Sequence, residues 1–172
     1  DRQSEGNLLA VLGGLYAMQG AFDRARELVS RARSLLQELG LELDTARVGI
    51  EAWRTEMLAG RLDAAEEELR RSYDALEARG EKYTLSTIAG LLGRTIVERD
   101  GPLEEALEMC DRSRELASDG DIATQALWRS VRGRILARTG ALVEAEGLLR
   151  EALAILEPTD APVLRSEAYV DL

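Results

Sequence analysis

A chain of 172 residues with 45% hydrophobic residues can build a core, and its 32 Asp+Glu against 22 Lys+Arg give a formal charge of −10. The absence of His removes Ser-His-Asp and Cys-His chemistry and the commonest metal ligand, and one Cys cannot close an internal disulfide, which fits a reducing compartment. No run approaches ~18 uncharged apolar residues, and an acidic chain with one Phe and two Trp lacks both the basic stripe and the stacking surface of a nucleic-acid binder; neither a membrane nor a nucleic acid is expected as partner. The apolar periodicity predicts helices over residues 6–19, 22–39, 44–59, 62–79, 84–99, 103–117, 122–139 and 142–156, with a ninth from 161 onward. No segment alternates with period two over β-branched residues, so no sheet is expected.

Glycine punctuates these helices. Gly20, Gly40, Gly60, Gly80, Gly101, Gly120 and Gly140 fall every 20 residues, with a slip of one residue at Gly101, and Pro158-Thr159-Asp160 makes the next break. A glycine just past a helix end takes positive φ without a Cβ clash. The units alternate in character, so the period is 40 residues. One glycine class precedes an apolar residue and an alanine: Gly20-Ala-Phe22-Asp-Arg-Ala25, Gly60-Arg-Leu62-Asp-Ala-Ala65, Gly101-Pro-Leu103-Glu-Glu-Ala106 and Gly140-Ala-Leu142-Val-Glu-Ala145. Gly13, Gly93 and Gly133 recur inside the preceding helices, with Trp53 in that place in the second repeat. Small residues at Gly13, Gly93, Gly133, Ala25, Ala65, Ala106 and Ala145 let two antiparallel helices cross closely. Trp53 should splay or rotate the second pair.

The pattern Leu12-Gly13-Gly-Leu-Tyr16, then Gly20-Ala-Phe22-Asp-Arg-Ala25, with Ala32 and Ala152 later in their helices, resembles the tetratricopeptide repeat. The resemblance implies an all-α, right-handed solenoid of four helix pairs plus a ninth helix. It is expected as a single domain over 1–172, with repeats at 6–40, 44–80, 84–120 and 122–157 and a fifth repeat or capping helix at 161–172. The usual repeat of about 34 residues is shorter than this one, and HEAT repeats compete at the longer period but lack the paired Gly and Ala crossing. The run from Ala123 to Gly140, followed by Glu144-Ala-Glu146 and Glu157-Pro-Thr-Asp160, is similar to the C-terminal helical region of large bacterial regulators. Those regulators join a class III adenylate/guanylate cyclase domain to a P-loop ATPase-like module and a tetratricopeptide tail, and related tails occur in transcriptional activators with the same ATPase module. The chain begins at Asp1 with no signal-peptide pattern and stops inside the run Val163, Leu164, Ala168, Val170, so a cytoplasmic fragment of a longer protein is expected.

Weaker signals are outweighed. Gly90-Leu-Leu-Gly93-Arg-Thr95 has neither the spacing nor the Lys of a phosphate loop. Asp119-Gly-Asp121 lacks the further ligands of a calcium loop, and Asp121 is expected to cap the next helix. The runs Glu66-Glu67-Glu68 and Glu104-Glu105 sit near helix starts, where the macrodipole and a solvated face account for them. Cys110 replaces an apolar residue and reads as a buried inert thiol, and Trp53 and Trp128 read as packing. No catalytic residue, cofactor or metal site is expected.

Arg54, Arg94 and Arg134 share one offset in three successive first helices, and the resemblance implies that this offset faces a concave groove, with Arg47 and Arg138 beside it. Stacked guanidinium groups would suit bidentate capture of carboxylate or phosphate. Internal pairing with Glu51, Glu56 or Glu98 is the competing reading. The expected function is a non-catalytic interaction or sensor scaffold that binds an acidic peptide, a partner domain or its own dimer mate along the concave face. The alternative is a self-association module acting through its ends.

Overall fold

The structure is a computed structural model describing residues 1–172. It is all-α, with no strand: α1 (Arg2–Met18), α2 (Phe22–Glu38), α3 (Glu42–Leu58), α4 (Leu62–Glu77), α5 (Tyr83–Glu98), α6 (Leu103–Leu116), α7 (Ile122–Arg138), α8 (Leu142–Leu156) and α9 (Pro162–Asp171). The helices form four hairpins of the helical-repeat type and a ninth helix. No helix is long and apolar enough to cross a membrane. The chain divides into two compact units, Asp1–Glu81 and Lys82–Leu172. The boundary falls in the turn between the second and third repeats.

In the first unit, α3 packs on both helices of the α1–α2 hairpin. Val48 and Ala52 of α3 close a core with Ala10 of α1 and Val29, Ala32 and Leu36 of α2. Arg26 of α2 is bidentate to the Glu56 carboxylate of α3, at 2.8 and 3.0 Å. That hydrogen bonding, set against the cost of burial, holds the Glu56 carboxyl below the usual carboxylate range.

In the second unit, α7 packs on α5 and α6, and α9 packs on α7 and α8. Ala168 of α9 joins Ala126, Ala152, Leu153 and Leu156 in one core. Asp121 caps α7 by accepting a hydrogen bond from the Thr124 backbone N–H at 3.2 Å. Cys110 is fully buried and its thiol donates to the Trp128 carbonyl oxygen at 3.2 Å. Burial pushes its pKa up to about 11.

Small residues set the hairpin crossings. A Cβ added at Gly13 would lie 2.8 Å from Val29 Cγ2 and 3.1 Å from the Ala25 carbonyl oxygen. At Gly93 it would lie 3.0 Å from the Ala106 carbonyl oxygen, and at Gly133 it would lie 2.8 Å from Leu149 and 3.3 Å from the Ala145 carbonyl oxygen. Ala65 is fully buried on α4. In the second repeat the close approach moves one turn back along α3, to Gly49, whose Cβ would meet Ser72 and come within 3.3 Å of the Glu68 carbonyl oxygen. Trp53 is buried there without occupying the crossing point itself.

Two glycine stops differ from expectation. Gly20, Gly40, Gly60, Gly80 and Gly140 have positive φ, but Gly101 and Gly120 do not. Asp100 takes the left-handed position, with φ 58°, at the place the 20-residue spacing calls for. Asp tolerates that region better than most side chains. Gly101 is therefore the added residue rather than a displaced stop.

Candidate functional site

The five arginines singled out by offset do not form one free stripe. Arg54 lies on α3 in the first unit and is ion-paired to Glu51, one turn earlier. Arg47 pairs with Asp44 at 3.6 Å, and Arg138 with Asp100 at 2.7 Å. Of the two readings, the free stripe and internal pairing, the contacts are those of internal pairing: each guanidinium has a carboxylate within reach. The reason is local for Arg47, Arg54 and Arg94, because residues three or four apart share a helix face.

Arg94 of α5 and Arg134 of α7 do come together, in the second unit. Each follows a crossing glycine, so the close approach of the hairpins fixes the backbone from which it projects. Both reach one carboxylate oxygen of Glu98, the last residue of α5: Arg94 Nε at 2.8 Å and Arg134 Nη1 at 3.0 Å. Each arginine also has a carboxylate of α9 nearby. Arg94 Nη1 donates to Glu167 at 2.7 Å, and Arg134 Nε lies 3.7 Å from Asp171. The Arg94 and Arg134 side chains are 20% and 23% exposed, so these pairs are only partly screened by solvent.

The electrostatics follow from the geometry. Burial opposes charge on Arg94, but the hydrogen bonds it donates to Glu98 and Glu167, with the charges of those carboxylates, outweigh it and hold the guanidinium above its ordinary value. Burial likewise opposes charge on Glu98, and the two arginines more than offset it, so its carboxyl sits below the usual range. At Asp171 burial wins over both arginines, and its carboxyl is raised. Beside the cluster lies a cavity of about 30 Å³, lined by Arg94, Ser130, Arg134, Leu156, Glu167 and Ala168. The volume suits about one water, and polar partners are present for it.

The cluster can therefore do one thing chemically: hold two carboxylates spaced i, i+4 on a helix. The sequence pattern around residue 161 onward drew attention only to its apolar residues. Glu167 and Asp171 were missed, although their four-residue spacing on one helix face is a readable signal. Gly49 lies outside the repeat offset, which Trp53 occupies in the second repeat, so the offset does not find it.

No family model matches the chain, and no curated protein matches it. Among solved structures, the crystal structure of BtubC (BKLC) from P. vanneervenii is similar over 92% of this chain, with a TM-score of 0.71 and 20% identity. This chain spans 65% of the length of BtubC. The likeness is one of fold.

Proposed function

We propose that the chain is a non-catalytic interaction module whose α5–α7 face recognises an acidic helical segment. The observation that carries this reading is the pairing of Arg94 and Arg134 with Glu167 and Asp171, two carboxylates presented one turn apart by a helix. In this structure the occupant is the chain's own α9. That helix has ten residues and one buried side chain, Ala168, which makes it a low-stability element suited to exchange with a competitor. The similarity of residues 123–160 to the tails of bacterial cyclase and ATPase-type regulators supports reading the module as the regulatory region of a signalling or transcriptional protein. On that reading the partner is an acidic helix of another domain or protein.

The test uses the full chain. Glu167→Gln with Asp171→Asn leaves α9 neutral and frees the arginine pair. A fluorescent peptide of sequence 161–172 should then bind, with affinity falling as ionic strength rises. Adding Arg94→Gln and Arg134→Gln should remove that binding while helicity, followed by circular dichroism, is unchanged. Equal peptide binding with and without the arginines contradicts the reading.

A further inference from the structure

A polar cavity of about 260 Å³ opens in the first unit between α2, α3 and α4, lined by Arg33, Gln37, Glu42, Thr45, Arg71 and Arg79 among others. Three guanidinium groups thus meet at one place, in a chain whose formal charge is −10. Two carboxylates answer them. One oxygen of Glu68 accepts from Arg33 Nη2 at 2.5 Å and from Arg71 Nη1 at 2.9 Å. Glu42 accepts from Arg79 Nε at 2.7 Å, and Arg79 Nη1 donates to the Ala75 carbonyl oxygen at 2.8 Å. Three cations against two carboxylates leave one positive charge over. Arg33 and Arg71 share a single acceptor oxygen, although each guanidinium carries five N–H donors, so most of their hydrogen-bonding capacity is open. The Arg33 and Glu68 side chains are only 22% and 19% exposed, and an anion entering here meets a field that solvent only partly screens.

The equivalent cavity one repeat earlier lacks this surplus. It measures about 280 Å³, and its charged lining is Arg2, Glu5, Arg31 and Glu38, two cations and two carboxylates. Forty residues on, Arg31 stays basic as Arg71, while Glu5 becomes Thr45 and Glu38 becomes Ala78. The preceding hairpin then contributes Arg33 and Gln37 from α2. Hairpin packing makes such a cavity twice, so its presence is a property of the repeat. The unmatched positive charge is a property of the second copy alone.

We infer that the cavity between α2, α3 and α4 binds a small phosphate monoester through Arg33, Arg71 and Arg79. The donor set favours phosphate over carboxylate. The Thr45 and Ser72 hydroxyls already donate to the Leu41 and Glu68 carbonyl oxygens, so the donors on offer are guanidinium N–H groups and the Gln37 amide. A phosphate group presents three terminal oxygens, one for each guanidinium, whereas a carboxylate presents two. The volume bounds the rest of the ligand. It lies below the roughly 300 Å³ at which sites for drug-sized molecules begin, and it exceeds what a bare phosphate fills, so the ester carries only a few carbon atoms. The anion competes with Glu42 and Glu68 for the same guanidinium groups, and the affinity is therefore modest.

Amide NMR titration of the full chain at constant ionic strength tests this, with glycerol 3-phosphate, inorganic phosphate and acetate as probes. Glycerol 3-phosphate should saturably shift signals around Thr45, Arg71 and Ala75, with roughly millimolar affinity. It should bind at least as tightly as inorganic phosphate and about tenfold more tightly than acetate. Arg71→Gln and Arg79→Gln, at side chains 57% and 37% exposed, should each weaken it about tenfold, and Arg31→Gln in the balanced cavity should leave it unchanged. The near-isosteric Glu68→Gln should tighten binding, because Arg33 and Arg71 lose their competing carboxylate. Circular dichroism checks that every variant keeps its helicity. No saturable shift at tens of millimolar, equal affinity for acetate, inorganic phosphate binding where the ester does not, or equal losses in Arg31→Gln and Arg71→Gln would each overturn the inference. So would weaker binding by a helical Glu68→Gln chain, or a phosphoserine peptide that binds more tightly than the free ester.

Discussion

Glu98 shows how one side chain ties two helices together. Its carboxylate serves Arg94 on its own helix and Arg134 on α7, and removing it leaves two half-buried guanidinium groups short of an acceptor. Glu98→Gln should destabilise the chain by about 1–3 kcal/mol at neutral pH. The pH dependence follows from the sign of the shift. A carboxyl held below its ordinary value of 4.5 adds stability that is present above that value and lost as pH falls through the lowered one. Glu56 acts in the same direction. Asp171, raised above 3.8, acts in the opposite one: its contribution is present at low pH and lost as pH rises through the raised value. Melting curves from neutral to acid pH should therefore fall less steeply for Glu98→Gln than for the parent chain. The Arg94–Glu98 pairing is readable from an i, i+4 spacing. The Arg134–Glu98 pairing spans 36 residues and exists only because α5 and α7 pack together. At Cys110 the sequence was enough: an apolar repeat position predicts burial, and the fully buried thiol should resist alkylation until the chain unfolds.

At the scale of the helix pair, close approach governs. Gly133→Leu would place a branched side chain where even a Cβ comes 2.8 Å from Leu149, and should cost ~1–3 kcal/mol through overpacking, seen as a lower melting temperature. The same change at Gly147, inside α8 with nothing within 4 Å of an added Cβ, should leave the melting temperature unchanged or raise it, because glycine is the poorer helix former. Glycines inside helices look alike in the sequence, and only the repeat offset separates crossing positions from open ones. That criterion finds Gly13, Gly93 and Gly133 and passes over Gly49, because the second hairpin shifts its contact by a turn to accommodate Trp53. The turn at Asp100 escaped notice for a related reason. Gly101 carries the residue type of a stop, whereas the left-handed residue is the aspartate before it.

Across the whole chain, the 40-residue period made the class of fold and all nine helices readable, since each hairpin buries its apolar stripe in the same way. The division at Glu81 and Lys82 was not readable, because the turn there resembles every other inter-repeat turn and the boundary is a property of packing. The similarity to BtubC at 20% identity fits a fold that asks for small residues at few positions and apolar ones at many. Function at this scale rests on whether the arginine pair holds an acidic helix by charge. Amide hydrogen exchange of α9 reads this directly. Arg94→Glu with Arg134→Glu should abolish the protection of α9, and adding Glu167→Arg with Asp171→Arg to the same chain should restore it in large part. If α9 keeps its protection when the arginines are reversed, Ala168 and its apolar neighbours hold the helix alone, and the α5–α7 face is not a site for carboxylates.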